Sequence, residues 1–180
     1  MADEQSGFSI GAPAPDFSLP DTEGETHALR DPSGSPATVV IWTCNHCPYA
    51  LAWHDRLIDA ARDYAARDVR FLAINSNYAV SHPADSFEAM RARVADEDWP
   101  HPYLHDESQE VARAWGAKTT PHVFVLDIEY RLRYLGAPDA DYNDPAHEAA
   151  WLREALDDVL EGQEVRRAET DPVGCTVKWK

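Results

Sequence analysis

Lysine is scarce in this 180-residue sequence: it occurs only at Lys118, Lys178 and Lys180, and the other basic residues are arginines. Acidic residues outnumber basic ones by 32 to 16, which gives a formal net charge of −16. A surface of this sign repels nucleic acids, so nucleic-acid binding through net charge is excluded. Molar salt shortens the Debye length to about 3 Å and screens such self-repulsion, so we expect a salt-loving source.

Long apolar runs are also missing. No segment reaches the roughly 18 apolar residues that a membrane-spanning helix needs. The first residues, Met1–Glu4, are acidic where a secretory signal would be basic and then apolar. We therefore expect a cytoplasmic protein with no membrane partner. A hydrophobic fraction of 44% over this length fits one domain covering residues 1–180.

Cysteine is rare as well, with three residues in the chain. That number is too small for a disulfide-scaffolded secreted domain. Two of them, Cys44 and Cys47, are separated by two residues, which is the spacing of redox pairs and of metal sites. This pair is the feature of the sequence that points most directly to a function.

The order of apolar patterns predicts an α/β fold with a central mixed β-sheet and helices on both of its faces. An arm at 1–15 leads into an N-terminal β-hairpin, and a tail at 163–180 closes the chain. The predicted strands cover residues 16–19, 25–27, 37–43, 69–75, 122–127 and 130–135. The predicted helices begin near Asn45, Pro83, Ser108 and Pro145. The last two strands form an antiparallel hairpin near a sheet edge.

The chemistry is expected where the interior strand at 37–43 turns into a helix. A cysteine there gains amides that point at its sulfur and the positive end of the helix dipole, and both favour the thiolate. Cys44 has that position, whereas Cys47 should be less exposed and close enough to form a disulfide with it. Cys44 would attack and Cys47 would resolve. An imidazolium at His46 would lower the pKa of Cys44 further.

Two other positions are candidates for the site. Thr120-Pro121 precedes a predicted strand, where proline marks the start of the strand and can adopt the cis form. Trp42 ends the interior strand and is a candidate for contact with substrate, although an aromatic residue in such a strand usually belongs to the core. Cys175 is either a buried tail residue or a third redox thiol.

These residues occur in a familiar order. A strand, a CxxC at a helix start and a distant Thr-Pro before a β-hairpin resemble the thioredoxin fold. Residues 11–19 (GAPAPDFSL) resemble the alkyl hydroperoxide reductase/thiol-specific antioxidant branch, which is peroxiredoxin-like. Residues 43–49 (TCNHCPY), 73–77 (AINSN), 120–122 (TPH) and 174–180 (GCTVKWK) resemble a thioredoxin-like subfamily that carries CNHCP. The resemblance extends from Gly11 to Lys180.

The resemblance implies that Cys44 is the nucleophile, that Cys47 resolves, and that Pro121 is cis and packs beside the disulfide. It also implies that the backbone of Thr120 pairs with an extended substrate. The sequence departs from the relatives in two respects. The thioredoxin WCGPC is absent, and the strand at 37–43 has no buried carboxylate to accept a proton, since Thr38 stands near that place. The peroxiredoxin pattern P-x-x-x-T-x-x-C fits neither cysteine of the pair.

Three functions follow from these observations. The leading hypothesis is a thiol-disulfide oxidoreductase that acts on a disulfide-containing protein or a low-molecular-weight thiol, with a reductase as electron donor and no cofactor or metal. The second is a thiol-dependent peroxidase of the antioxidant type. The third is a non-catalytic adaptor in which the CxxC binds zinc. The candidate residues to complete such a zinc site are Cys175, His46, His54 and His122.

Overall fold

The computed structural model describes residues 7–180, so the first six residues of the predicted arm at 1–15 lie outside the described residues. Within residues 7–180, the chain forms nine strands and four α-helices. The strands are β1 (Ser18–Pro20), β2 (Thr26–Ala28), β3 (Ala37–Trp42), β4 (Arg70–Asn75), β5 (Tyr103–His105), β6 (Thr119–Thr120), β7 (His122–Asp127), β8 (Leu132–Gly136) and β9 (Cys175–Thr176). The helices are α1 (Pro48–Ala65), α2 (Phe87–Asp96), α3 (Glu110–Trp115) and α4 (Ala150–Leu160), with 3₁₀ turns at Pro83–Asp85 and Pro145–His147.

Strand β3 lies at the centre of a five-stranded sheet with the strand order β5-β4-β3-β7-β8. It pairs in parallel with β4 and antiparallel with β7, while β7 and β8 form an antiparallel hairpin at one edge. Every residue of β3 is buried, because other elements cover both faces of the sheet. The predicted mixed sheet, its central strand and its edge hairpin are confirmed.

Different helices pack on the two faces of the sheet. On one face, Leu57 of α1 and Leu156 of α4 share a cluster with Val39 of β3. On the other face, Val40 of β3 packs in a cluster with Trp115 of α3. The division follows from the strand geometry, since successive side chains of a strand point to opposite faces. Each large apolar side chain buried in this way contributes about 1.5–3 kcal/mol. Helices on both faces were predicted, and this is confirmed.

Helix α1 begins later than predicted. Pro48 takes its first position, and Cys47 precedes it with extended backbone angles of φ −71° and ψ 124°. A proline disfavours helical backbone at the residue before it, so the helix cannot extend back through Cys47. The prediction of a start near Asn45 is wrong for this reason. Cys44 consequently lies in an irregular turn between β3 and α1.

Three short strands were not predicted. Strand β5 extends the central sheet beside β4, while β6 and β9 pair antiparallel with each other outside it. Two or three residues are too few to show the alternation by which strands are predicted. Through β9, the tail predicted at 163–180 returns to the segment that precedes Pro121. No helix within residues 7–180 is long and apolar enough to cross a membrane.

Candidate active site

Both cysteines of the CxxC lie at the carboxyl end of β3. The turn after this strand folds back so that the amide of Cys47 donates a hydrogen bond to Cys44 Sγ over 3.3 Å. The predicted amide pointing at the first sulfur is therefore present. The two side chains are almost equally buried, with Cys44 1% exposed and Cys47 0% exposed. The difference in exposure that was expected between the two cysteines is therefore only marginal.

Thr120 contacts both sulfurs. Its hydroxyl lies 3.3 Å from Cys44 Sγ, and its carbonyl accepts a hydrogen bond of 3.2 Å from Cys47 Sγ. The Thr120–Pro121 peptide bond is cis. The structure thus brings Cys44, Cys47, Thr120 and Pro121 into one site. The two cysteines lie more than 70 positions from the Thr-Pro pair in the chain.

A buried carboxylate that the sequence did not predict completes this site. Asp85, at the end of the 3₁₀ turn before α2, is fully buried and accepts hydrogen bonds from the Asn45 amide at 2.6 Å and the Asn75 side chain at 3.1 Å. The Asn77 side chain donates to its other oxygen at 3.0 Å. His46 Nδ1 lies 2.5 Å from that same oxygen, at ion-pair distance.

These contacts place three reactive groups together. The sulfur of Cys44, a ring nitrogen of His46 and a carboxylate oxygen of Asp85 all lie within 4.8 Å of one another. The carboxylate that is missing from β3 is therefore supplied from the segment after β4. The signal that could have predicted it is topological, because the carboxyl ends of parallel strands β3 and β4 meet at the same edge.

The position of the negative charge differs from the prediction. The hydrogen bond with Cys47, burial and the Asp85 carboxylate together raise the pKa of Cys44. The hydrogen bond from Cys44, together with the thiol and amide of Cys175, lowers the pKa of Cys47. The shift of the Cys44 pKa is therefore opposite in direction to the prediction that the helix start and His46 lower it.

Cys175 joins the same cluster. Strand β9 places it opposite Thr120, and its side chain packs against Cys44 and Cys47. The side chain is half-buried, so the three cysteines of the chain form one group at the edge of the molecule. Burial and the neighbouring Cys47 raise the pKa of Cys175 to about 11.

Trp42 is not part of the site. Its side chain is fully buried, stacks near Trp115 and Phe124, and donates from its ring nitrogen to the Ser76 hydroxyl over 3.0 Å. As a residue of the central strand, it points to the face that α3 covers. The prediction that Trp42 contacts substrate is therefore wrong.

Two of the predicted zinc ligands, His54 and His122, do not join the others. His54 lies 3.0 Å from Glu97, and the ring of buried His122 accepts a hydrogen bond from the Lys118 amide, so neither reaches the cysteines. Among the described residues, the metal-ligand groupings are Cys44 with His46 and Asp85, and a second set at Asp21, Glu25 and His27. The 2.5 Å between His46 Nδ1 and the Asp85 carboxylate is shorter than the separation of about 3.3 Å expected for two ligands on one tetrahedral zinc ion.

Comparison with known proteins shows the family of this chain. The model of the AhpC/TSA family matches residues 10–135, which is more than half of the chain. The chain belongs to the AhpC/TSA family. This AhpC/TSA protein is 30% identical to the thiol:disulfide interchange protein DsbE of Allochromatium vinosum, over 73% of this chain and 69% of that protein. It is 28% identical to the thiol-disulfide oxidoreductase ResA of Geobacillus thermodenitrificans, over 73% of this chain and 71% of that protein.

Solved structures support the fold of this AhpC/TSA protein. A hypothetical protein from Sinorhizobium meliloti 1021 superposes with a TM-score of 0.90 at 37% identity, covering 97% of each chain. A putative thioredoxin from Neisseria meningitidis superposes with a TM-score of 0.68 at 22% identity, covering 89% of this chain and 96% of that one. The thioredoxin-like fold predicted from the sequence is therefore confirmed.

Proposed function

We propose that this AhpC/TSA protein is a thiol-disulfide oxidoreductase whose redox couple is Cys44 and Cys47. The observation that carries the proposal is the placement of both sulfurs against Thr120, within one hydrogen-bonded group. Two neighbouring sulfurs can exchange between a dithiol and a disulfide without a cofactor. The names of the relatives, a thiol-disulfide oxidoreductase and a thiol:disulfide interchange protein, support the same chemistry.

The reaction proceeds in two exchanges. Cys44 loses its proton and attacks one sulfur of the partner disulfide, which forms a mixed disulfide and releases the first partner thiol. Cys47 then attacks Cys44 Sγ, so the Cys44–Cys47 bond forms and the second partner thiol leaves. The pair is oxidised by two electrons and the partner is reduced by two. A reductase reverses the change and restores the dithiol.

His46 and Asp85 are the groups that govern the proton of Cys44. The carboxylate disfavours a lone negative charge on Cys44, while the adjacent imidazole is placed to receive the proton as the sulfur attacks. These two residues would therefore act as positioning and proton-accepting groups for the first exchange. The partners are disulfide-containing proteins or low-molecular-weight thiols, and a cytoplasmic location stays a prediction from the sequence.

A trapping experiment tests the proposal. The Cys47→Ser variant is expected to accumulate a covalent adduct with a model protein disulfide such as insulin, because the resolving sulfur is gone. The matched Cys44→Ser variant is expected to form none. Mass spectrometry without reduction identifies the adduct. Equal trapping by both variants, or trapping by neither, would overturn the assigned roles.

A peroxidase is the second candidate, because the family match includes thiol-specific antioxidants and one contact supports it. Peroxiredoxins orient peroxide with a threonine hydroxyl beside the reactive sulfur, and the Thr120 hydroxyl lies 3.3 Å from Cys44 Sγ. The sequence pattern around Cys44 still lacks the usual proline and threonine. Rapid loss of the Cys44 thiol on mixing with hydrogen peroxide would favour this candidate over disulfide exchange.

A further inference from the structure

The last seven residues cross the candidate site as an extended segment, which we call the strap (Gly174–Lys180). In the strap, Cys175 pairs with Thr120 and Thr176 pairs with Thr119 in an antiparallel register. Thr120 is the residue whose backbone would pair with an extended substrate. The strap therefore lies along the edge at which a substrate would have to bind.

Hydrogen bonds and ring contacts hold the strap along its length. The Val177 amide donates to the Lys118 carbonyl over 3.1 Å, beyond the paired strands. The Lys178 amide donates to Asn77 Oδ1 over 2.9 Å. Gln109 donates to the Lys178 carbonyl over 2.8 Å and accepts from the Lys180 amide over 3.1 Å. This segment is thus docked in one register by specific contacts.

Gly174, the first residue of the strap, packs directly against the cis Thr120–Pro121 peptide bond. A Cβ atom at Gly174 would come within 2.2 Å of the Thr120 carbonyl oxygen and 3.2 Å of the Pro121 nitrogen. The obstacle is backbone, which cannot move aside as the end of a flexible side chain can. Only glycine at position 174 allows the strap to approach this closely.

The sulfur of the strap faces the redox pair. Cys175 packs against the cluster of Cys44, Cys47 and Ala50, and its thiol and amide help to lower the pKa of Cys47. A cysteine in an extended segment, paired with Thr120 and adjacent to the CxxC, has the arrangement that a bound substrate would have. Unlike a substrate, it belongs to the same chain.

We propose that the strap is an internal substrate that occupies the docking edge and exchanges disulfides with the CxxC pair. The proposal rests on the proposed function. When Cys44 and Cys47 are joined, the Cys175 thiolate attacks Cys47 Sγ. The Cys47–Cys175 bond forms, the Cys44–Cys47 bond breaks, and Cys44 leaves as a thiolate that takes up the proton lost by Cys175. The step involves no net oxidation and requires no further reactant.

This arrangement gives the site two states. With the strap docked, the edge at Thr120 is occupied and both sulfurs of the pair are buried, so an external disulfide cannot reach them. With the strap released, the edge and Cys44 become accessible. An external substrate must therefore compete with the tail of the same molecule for one binding position.

Disulfide mapping tests the exchange. The full-length protein is oxidised with oxidised glutathione, alkylated in acid and digested without reduction. A peptide linking Cys47 to Cys175 is expected in the wild type and becomes the main intramolecular disulfide in Cys44→Ser. Complete alkylation of Cys175 in both proteins would overturn the proposal. If Cys44–Cys47 forms while Cys175 stays free, the exchange alone fails; if neither disulfide forms, the proposed function fails with it.

A second variant tests the occupied edge. Gly174→Ala should displace the strap, since its methyl group would overlap the Thr120 carbonyl, and alkylation of Cys44 by iodoacetamide should accelerate about tenfold or more. Val173→Ala, which alters an exposed neighbour, is the matched control and should alkylate at the wild-type rate. Trp179→Ala, which removes a ring 4.4 Å from the Arg113 guanidinium, loosens the other end of the strap if Gly174→Ala misfolds. Unchanged alkylation in folded variants would overturn the docked strap.

Discussion

Two aspartates, Asp85 and Asp139, are fully buried, yet their surroundings differ. Asp139 accepts two hydrogen bonds from the Arg56 guanidinium, at 2.9 and 3.0 Å, and another from the Trp53 ring nitrogen at 2.8 Å. Asp85 is held by neutral amide donors and lies at ion-pair distance from the His46 imidazole. Burial is the same in the two cases, and the chemistry of the partner is not.

The difference between these partners distinguishes a structural aspartate, Asp139, from one at the candidate active site, Asp85. A guanidinium keeps its charge at any ordinary pH, so the charge of Asp139 is permanently balanced by that of Arg56. The His46 imidazole lies beside a reactive thiol and can exchange a proton with it during a reaction. Asp85 also lies beside Cys44, whose pKa it raises. A buried carboxylate thus indicates an active site when it lies beside a reactive thiol and an imidazole.

The largest effect should come from breaking the structural pair. Asp139→Ala leaves the Arg56 guanidinium buried without a counter-charge, so the free energy of unfolding should fall by about 3–5 kcal/mol. Urea unfolding measures the loss, and the disulfide reductase rate of the molecules that stay folded should not change. Asp98→Ala, which breaks an exposed pair with Arg62, is the control and should leave the urea midpoint in place. A parallel loss of rate in folded Asp139→Ala would remove the distinction.

His122, a buried histidine away from the CxxC, extends the comparison of buried titratable groups. Burial, followed by the Lys118 ammonium, lowers the pKa of His122 to about 3. In the unfolded chain an imidazole binds a proton below about pH 6.5, so between that pH and about 3 the unfolded state holds more protons. Stability should therefore fall as the pH falls through this window, by up to about 1.4 kcal/mol per pH unit from this group.

His122→Gln isolates that contribution, because glutamine keeps an acceptor for the Lys118 amide but cannot bind the proton. The slope of unfolding free energy against pH, measured by urea unfolding from pH 7 to 4, should be flatter in the variant. Identical slopes in the two proteins would show that His122 is not held neutral by the fold.

The Asp85 carboxylate should change the reactivity of the Cys44 thiol. Asp85→Asn removes the charge that opposes a Cys44 thiolate, so the pH midpoint of Cys44 alkylation should move down by about one unit. The measurement is made in a Cys47→Ser background, so that one sulfur is observed. Asp139→Asn in the same background should keep the midpoint. If both substitutions, or neither, shift the profile, the contrast between the two aspartates fails.

Salt should produce the smallest effect and act on the surface. A net charge of −16 predicts that the melting temperature rises from low to molar potassium chloride, because screening relieves repulsion between exposed carboxylates. The buried Asp139–Arg56 pair is screened much less, so the destabilisation by Asp139→Ala should be similar in both salts. Equal melting temperatures of the wild type in both salts would contradict the expectation of a salt-loving protein.

The site residues that could be predicted are those that lie close together in the sequence. Cys44, His46 and Cys47 occur in one short motif, and Thr120-Pro121 in another, so their types and spacing indicate their use. Asp85 lies 40 positions from Asn45 in the turn, and no periodic pattern predicts such a contact. Trp42 was misassigned because an unbroken apolar strand does not show which face each side chain takes.

Contacts between distant segments also explain why the short strands could not be predicted. The fold could be predicted because β3, α1 and the β7–β8 hairpin are long enough to show their periodicity. Strand β9 has two residues, so its pairing with Thr120 depends on a contact between distant segments. The mutual burial of the three cysteines follows from that pairing and could not be derived from their spacing.

The claim that Cys44 and Cys47 form a redox couple is tested most directly by a redox titration. The Cys175→Ser protein is equilibrated in buffers of reduced and oxidised dithiothreitol, and the alkylation of each cysteine is counted by mass spectrometry. We expect Cys44 and Cys47 to change together in a single two-electron transition. Two thiols that stay reduced across the whole range, or that change independently of each other, would contradict the claim.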